Sequence, residues 1–242
     1  MRASAALREE EAPVAGSLVE QVIGAVNLHI RVNRLGPGDT LPGESAFALQ
    51  LGVSRAVVRE AFRSMALLRL IDIGNGRRAR VSAIDRSVLG MVLDHAAHTD
   101  QTSIQQIYDV RRTIELRTAA LAALRRTAEE SERITALAAA MRADFAEAAK
   151  VMEHDIAFHE AIATASRNPL FAVIVGAFQV ITRQTWPIGW SSRATDALRI
   201  GSVEGHEAIA RGIAAGDPRA AEAAMAEHFD ASVMALLGAG VT

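Results

Sequence analysis

LPGESAFALQLGVSRAVVREAFRSMALLRLIDIGNGRRARVS, running from Leu41 to Ser82, sets the character of the amino-terminal part of this chain. Glu44 to Leu51 reads as a short helix, with Pro42 and Gly43 before it. Leu51-Gly52-Val53 is a turn in which Gly52 supplies the positive φ that other residues resist. Ser54 can cap a second helix by accepting a hydrogen bond from an orphan backbone N–H. That helix runs from about Arg55 to Leu68, with Val57, Val58, Ala61, Phe62, Met65 and Leu68 at helical spacing. Leu70-Ile71-Asp72-Ile73 then alternates as a half-buried strand does, and Asn75-Gly76 is a strong hairpin signal. Arg77, Arg78 and Arg80 follow on the return strand.

Arg55, Arg59 and Arg63 fall at i, i+4 and i+8, on one side of the second helix. A helix fits the DNA major groove, where arginine pairs bidentately with guanine or binds phosphate. A hairpin with a basic tip can lie along the neighbouring minor groove and phosphates. Taken singly, these pieces read as a solvated arginine face and an ordinary hairpin. Their order, helix, turn, helix and basic hairpin, is that of a winged helix-turn-helix.

From Leu35 to Ser82 the chain resembles the DNA-binding domain of the GntR family of bacterial transcription regulators. The matching residues are Leu35 to Pro42 (L-x-P-G-x-x-L-P), Gly52-Val53-Ser54-Arg55, Val58-Arg59-Glu60-Ala61 and the wing. The resemblance implies DNA contacts from Ser45, Ser54, Arg55, Arg59 and Arg63, and from Asn75, Gly76, Arg77 and Arg78 in the wing. Where the family usually has an arginine after the glutamate of the first helix, this chain has Ser45. Its wing reads Gly74-Asn75-Gly76-Arg77 in place of the common G-x-G-T-x-V form. Both departures bear on operator sequence and affinity.

The chain has 242 residues, half of them apolar and only 4% aromatic. Abundant alanine favours helix packing over sheets. With no cysteine, disulfides and cysteine-based metal or redox sites are excluded. No run approaches the ~20 apolar residues of a membrane helix, and the amino terminus lacks a signal-type apolar region. The expected location is the cytoplasm, away from the membrane. Net charge is −2, but residues 1–84 hold 11 arginines against 8 acidic residues, and the remainder is acidic. The basic part is the helix-turn-helix part, and dimerisation would double its phosphate contacts.

Residues 1–12 read as a loose tail and Ser17 to Asn33 as a scaffold helix, with Leu18, Val22, Val26 and Ile30 in one stripe. Leu35 to Asp39 is a turn-rich connector. The spacing predicts a linker helix from Asp85 to about Ala97 and then helices near 103–126, 129–148, 150–166, 169–185, 193–215 and 217–237. Breaks are expected at Asn168-Pro169, Trp186-Pro187-Ile188-Gly189 and Gly216-Asp217-Pro218. The expected fold is therefore mostly α: a winged helix-turn-helix domain with a small β-hairpin wing at 1–83, a connector at 84–102, and an all-α effector-binding and dimerisation bundle at 103–242.

Asp155 and His159 lie four apart and point to one helix face, while His206 and His228 have apolar neighbours at helical spacing. Imidazole nitrogens and carboxylate oxygens ligate zinc, nickel, iron or manganese. A lone histidine is more often a satisfied core or surface residue. The helical half, about Asp85 to Leu237, resembles the FCD effector domain of the FadR subfamily. In many members an Asp-x-x-Phe-His segment and two later histidines bind a metal ion. Asp155, Phe158, His159, His206 and His228 match in type and order. The resemblance implies a divalent metal on Asp155, His159, His206 and His228, zinc foremost, with nickel, manganese or iron as alternatives. His29, His95, His98 and His154 fall outside the pattern.

In the same family an arginine four before a glutamate in the first bundle helix often faces the ligand cavity; Arg111 and Glu115 match it. The alternative for that pair is a surface ion pair worth a few tenths of a kcal/mol. Arg183, Gln184 and Trp186 are further candidates for the cavity wall, with Arg183 as a second effector contact. The function implied is a ligand-responsive repressor: a homodimer on an inverted-repeat operator, released or retained by a small organic acid on the metal. Two other readings stay open, a metal-dependent enzyme and a regulator with a purely structural metal.

Overall fold

Helix α1 (Leu18–Val32) begins at a capping box in which Ser17 and Glu20 bond each other's backbone N–H. The computed structural model describes residues 17–74 and 76–241, so the expected tail and the turn residue Asn75 lie outside the described residues. Helix α2 (Glu44–Leu51) ends at Gly52, whose φ of 66° is the left-handed conformation expected of it. Helix α3 (Arg55–Leu67) starts at Ser54, whose hydroxyl accepts from the Val57 N–H at 3.3 Å. Strands β1 (Ile71–Asp72) and β2 (Arg80–Val81) form an antiparallel pair, Ile71 opposite Val81 and Asp72 opposite Arg80.

The wing is broader than its two short strands. The Gly38 and Leu41 N–H groups bond to the Val81 and Ala79 carbonyls at 2.8 Å, and the Val81 N–H bonds to Asp39 at 2.9 Å. The connector before α2 thus becomes a third backbone rung beside β2. Val22, Val26, Leu41, Phe47, Val58, Phe62, Met65 and Ile71 close the core beneath it. Leu18 and Leu68, expected in the apolar stripes, are about half exposed at the element ends.

The chain divides between Asp85 and Arg86 into two units. The second holds α4 (Ser87–His98), α5 (Ile104–Arg125), α6 (Ala128–Ala143), α7 (Ala148–Ala165), α8 (Pro169–Ala177), α9 (Gln179–Ser192), α10 (Asp196–Ala215) and α11 (Pro218–Gly238). Within it α5 packs on α11 and α7, α10 on α11 and α6, and α4 on α8 and α9. Side-chain caps open α5, α6, α8 and α11: Ser103, Thr127, Asn168 and Asp217 each accept a backbone N–H of the helix they open. The architecture is the expected one, mostly helical with a single small antiparallel hairpin among the described residues.

Several boundaries differ: α6 ends at Ala143 rather than near 148, α10 starts at Asp196 rather than near 193, and the largest change surrounds α9. The helix expected at 169–185 bends at Phe178 into α8 and α9, and α9 runs through Pro187 to Ser192. Thr182 and Thr185 each return a hydroxyl to the carbonyl four residues back, at 3.1 and 2.9 Å, a bond that bends helices. Pro187 removes one backbone donor but does not end the helix. Trp186 and Trp190 stack across it at 4.9 Å, and Ile181, Thr182, Thr185 and Gly189 are buried along one face. Packing of that face outweighs the local cost of the proline.

Helices α10 and α11 meet closely at Gly212. A Cβ there would sit 2.7 Å from the Ala221 backbone nitrogen. Backbone cannot rotate aside as a side chain does, so Gly212→Val is expected to destabilise the protein by about 1–3 kcal/mol. Urea denaturation would register this as a lower midpoint at unchanged slope. An unchanged midpoint would mean that the two helices separate freely.

Candidate functional site

The first unit carries a groove of about 510 Å³ between α2, α3 and the wing. Ser45, Arg55, Arg59, Arg63, Gly76, Arg77 and Arg78 all line it. Their shared position follows from local folding: Gly52 turns α2 into α3, helical spacing aligns the three arginines, and the hairpin returns Arg77 and Arg78 beside them. All seven are exposed. The Arg59 Nε bonds to Glu44 at 3.2 Å, which fixes that side chain against the start of α2. Ser54 does not line the groove; its hydroxyl is engaged in capping α3. An exposed basic helix flanked by a basic hairpin suits a phosphate backbone and base edges.

The second unit brings Asp155, His159, His206 and His228 together. One ligand-type atom from each lies within 4.8 Å of the others. Asp155 and His159 come from one face of α7, His206 from α10 and His228 from α11. The first three are buried and His228 is half-buried. The His206 and His228 rings are 4.3 Å apart between centroids, and Phe158 closes the apolar side edge-on to His159 and His206.

Two of the histidines are oriented by a second bond. The His159 Nδ1 meets Glu115 Oε2 in a short hydrogen bond, which turns Nε2 into the cluster. The His206 Nδ1–H donates to the Ser202 carbonyl at 2.9 Å, and its Nε2 faces Asp155 Oδ1 at 2.8 Å. A carboxylate or carbonyl behind a ligating imidazole is the usual support of a metal site. Three imidazoles and one carboxylate also form a donor set for a first-row divalent ion. The residues present fit such an ion.

The electrostatics agree. Burial would raise the Asp155 carboxyl, but the His206 hydrogen bond and the three neighbouring histidines hold it well below the usual carboxylate range. Burial drives His228 well below its ordinary value, and the charges of His206 and His159 add to that. Desolvation opposes charge on His159, yet Glu115 outweighs it and holds that imidazole above its ordinary value.

Arg111 is buried, 5% exposed, and its Nε bonds to Glu115 at 3.0 Å. The surface ion pair is therefore not what this i,i+4 spacing makes here. Its Nη1 donates to Thr182 at 2.9 Å, and its guanidinium lies 5.2–5.8 Å from the centroids of Tyr108, Phe229 and Phe178. Burial disfavours its charge, but Glu115, Tyr108 and Asp155 reverse the effect and hold it above the ordinary arginine value. Arg111, Asp155, His159 and His228 together line a cavity of about 40 Å³.

Arg183 does not join them. It faces outward and forks Glu153, with its side chain 44% exposed. Gln184 also turns away, bonding to Asp94 of α4 at 2.7 Å, whereas Trp186 does line the cavity. Sequence reading missed Arg193, Thr182, Thr185, Ser202 and Ser232, which line it as well. The available signal was the spacing from Trp186: Thr182, Gly189 and Arg193 stand four before, three after and seven after it, on one face of α9.

Residues 18–81 match the model of the bacterial regulatory proteins of the gntR family, and residues 106–231 match the FCD domain. The chain is 31% identical to the HTH-type transcriptional regulator LutR of Bacillus subtilis, over 83% of this chain and 92% of that protein. It is 30% identical to the HTH-type transcriptional repressor NanR of Cronobacter sakazakii, over 88% and 83% of the two chains. The galactonate operon transcriptional repressor of Escherichia coli is 29% identical over 78% and 83%. Among solved structures, Streptococcus agalactiae GntR superposes with a TM-score of 0.60 at 25% identity, over 88% of this chain and 97% of that one. Domain models and relatives alike point to transcription regulators rather than enzymes. No helix among the described residues is long and apolar enough to cross a membrane.

Proposed function

This chain belongs to the gntR family of bacterial regulatory proteins and carries an FCD domain, and on that premise we propose that it is a metal-dependent, acid-responsive repressor. Residues 1–83 would bind DNA, 84–102 connect, and 103–242 bind effector and dimerise. The DNA contacts proposed are Ser45, Arg55, Arg59, Arg63, Gly76, Arg77 and Arg78. Asn75 is retained as a wing contact, and Ser54 acts by capping α3. A homodimer would set two recognition helices on an inverted repeat whose symmetry mirrors its own, in the cytoplasm.

One observation carries the effector half of this reading: the four ligand-type atoms converge in a cavity that also holds the Arg111 guanidinium. Asp155, His159, His206 and His228 would hold a divalent ion, zinc before nickel, manganese or iron. The ion supplies a positive charge for an acid's oxygen. Arg111 then forks the same carboxylate, its Nε and Nη1 being held in place by Glu115 and Thr182. Among the described residues no hydrogen bond engages the His228 ring, so it is free to serve the ion.

Switching needs an element that feels the ligand. Helix α9 lines the cavity through Thr182 and Trp186, and its Gln184 bonds to Asp94 of α4. Helix α4 follows directly on the DNA-binding unit in the chain. An acid that favours one placement of α9 therefore biases α4, provided that it binds the two arrangements with different affinity.

The test is metal content by mass spectrometry on wild type and on His159→Ala/His206→Ala. The expected result is about one ion per wild-type chain, lost in the double variant. Absence of metal from reconstituted wild type would end the metal reading and leave DNA binding standing. Metal present, with no acid able to move operator affinity, would reduce the ion to a structural role.

A further inference from the structure

Arg193 is the cavity residue that the reading above does not use. It caps the carboxyl end of α9, and its Nη1 donates to the Gly189 carbonyl at 2.6 Å. Unlike Arg111, it forms no ion pair with a carboxylate among the described residues; its charge is felt by Asp155 and Tyr108 but balanced by neither. Half-buried and lining the cavity, it is a cation awaiting an anion.

Its place is distinct from that of Arg111. The Arg111 guanidinium is tied to Thr182, and the Arg193 guanidinium to Gly189, two turns further along α9. At 1.5 Å of rise per residue the two anchors are about 10 Å apart along the helix. Arg111 also lines a small pocket with Val175 and Gln179, which Arg193 does not reach. The same cavity is lined by Asp155, His159 and His228 of the cluster and by Ser202 and Ser232. A monocarboxylate would satisfy one guanidinium and leave the other facing a methyl group.

We infer that the effector is a short-chain dicarboxylate, with one carboxylate at Arg111 and the cluster and the second forked by Arg193. This rests on the reading of the cavity as an acid site. It assigns Arg193 as the residue that distinguishes diacids from monoacids, by leaving a desolvated cation unpaired when the second carboxylate is missing.

The matched pairs succinate and butyrate, and malonate and propionate, differ only in exchanging a carboxylate for a methyl group. Calorimetric titration of the metal-loaded full chain is expected to give the diacid at least about tenfold tighter binding within a pair. In Arg193→Gln that preference should collapse toward unity, and in Arg193→Lys, which keeps the charge but not the fork, it should return in part. Melting temperatures of both variants report their folding, and the wild-type comparison needs no variant. Equal binding of diacid and monoacid, or a preference that survives Arg193→Gln, overturns the inference and leaves the acid site standing. Failure of every acid to bind removes both.

Discussion

Glu115→Ala is expected to lower the stability of the metal-free protein by about 3–5 kcal/mol. Glu115 is 1% exposed, and both of its oxygens are engaged, one by the Arg111 Nε and the other by the His159 Nδ1. Burial alone would raise its carboxyl, but His159 and Arg111 hold it below the usual range. Removing it leaves the Arg111 guanidinium packed against Tyr108, Phe178 and Phe229 with only Thr182 as a hydrogen-bond partner. Aromatic faces attract a cation but do not replace a carboxylate in a dry interior. At a few degrees per kcal/mol, the melting temperature should fall by roughly 10 °C.

Glu115→Gln separates charge from shape. It keeps an acceptor for Arg111 but loses the anion that orients His159, so metal affinity should drop by about 10–100-fold while stability falls less than in the alanine variant. A Glu115→Ala protein within about 1 kcal/mol of wild type would show that Arg111 finds another anion or water, and would sink this account.

Arg55→Ala/Arg63→Ala is the second large effect, and it falls on DNA. Both side chains are exposed on the groove face of α3, two turns apart, and each base contact of this kind is worth about 1–3 kcal/mol. In a dimer the substitution removes four such groups, so operator affinity should fall at least about a thousandfold. Arg59 is left in place because its bond to Glu44 supports the helix pair. Fluorescence anisotropy on an operator selected from random duplexes, and on a scrambled duplex, reads the result. Loss on the operator alone marks base contacts; loss on both, with a shallower salt dependence, marks phosphate contacts. Unchanged affinity on both duplexes would remove α3 as the recognition helix.

The sequence made some of this legible and hid the rest for physical reasons. Gly52, Ser54 and the arginine phase of α3 are local, so the helix-turn-helix could be read from neighbours in the chain. Asp155 and His159 share one helix face, and the resemblance supplied His206 and His228 from other helices. Glu115 was visible as the partner of Arg111, but its bond to His159 spans 44 positions and is made only when α5 packs on α7. Arg183 was a candidate for the cavity wall beside Gln184 and Trp186, but it turns outward to Glu153, a partner 30 positions away that only the packing of α7 on α9 brings to it. Pro187 looked like a terminus because local propensity ends a helix there; the stacked tryptophans and the buried face of α9 keep it going.

The cavity's size has a consequence in time. At about 40 Å³ it has room for about three water molecules, less than succinate occupies. Its wall includes the bulky side chains of Trp186, Trp190 and Leu236, so an acid larger than the free space is held only once the wall has given way. Observed association should then climb with acid concentration and level off at the rate of that opening. On the proposed function, a cell flooded with effector would respond no faster than one moderately supplied: the delay would be set by the protein rather than by the dose.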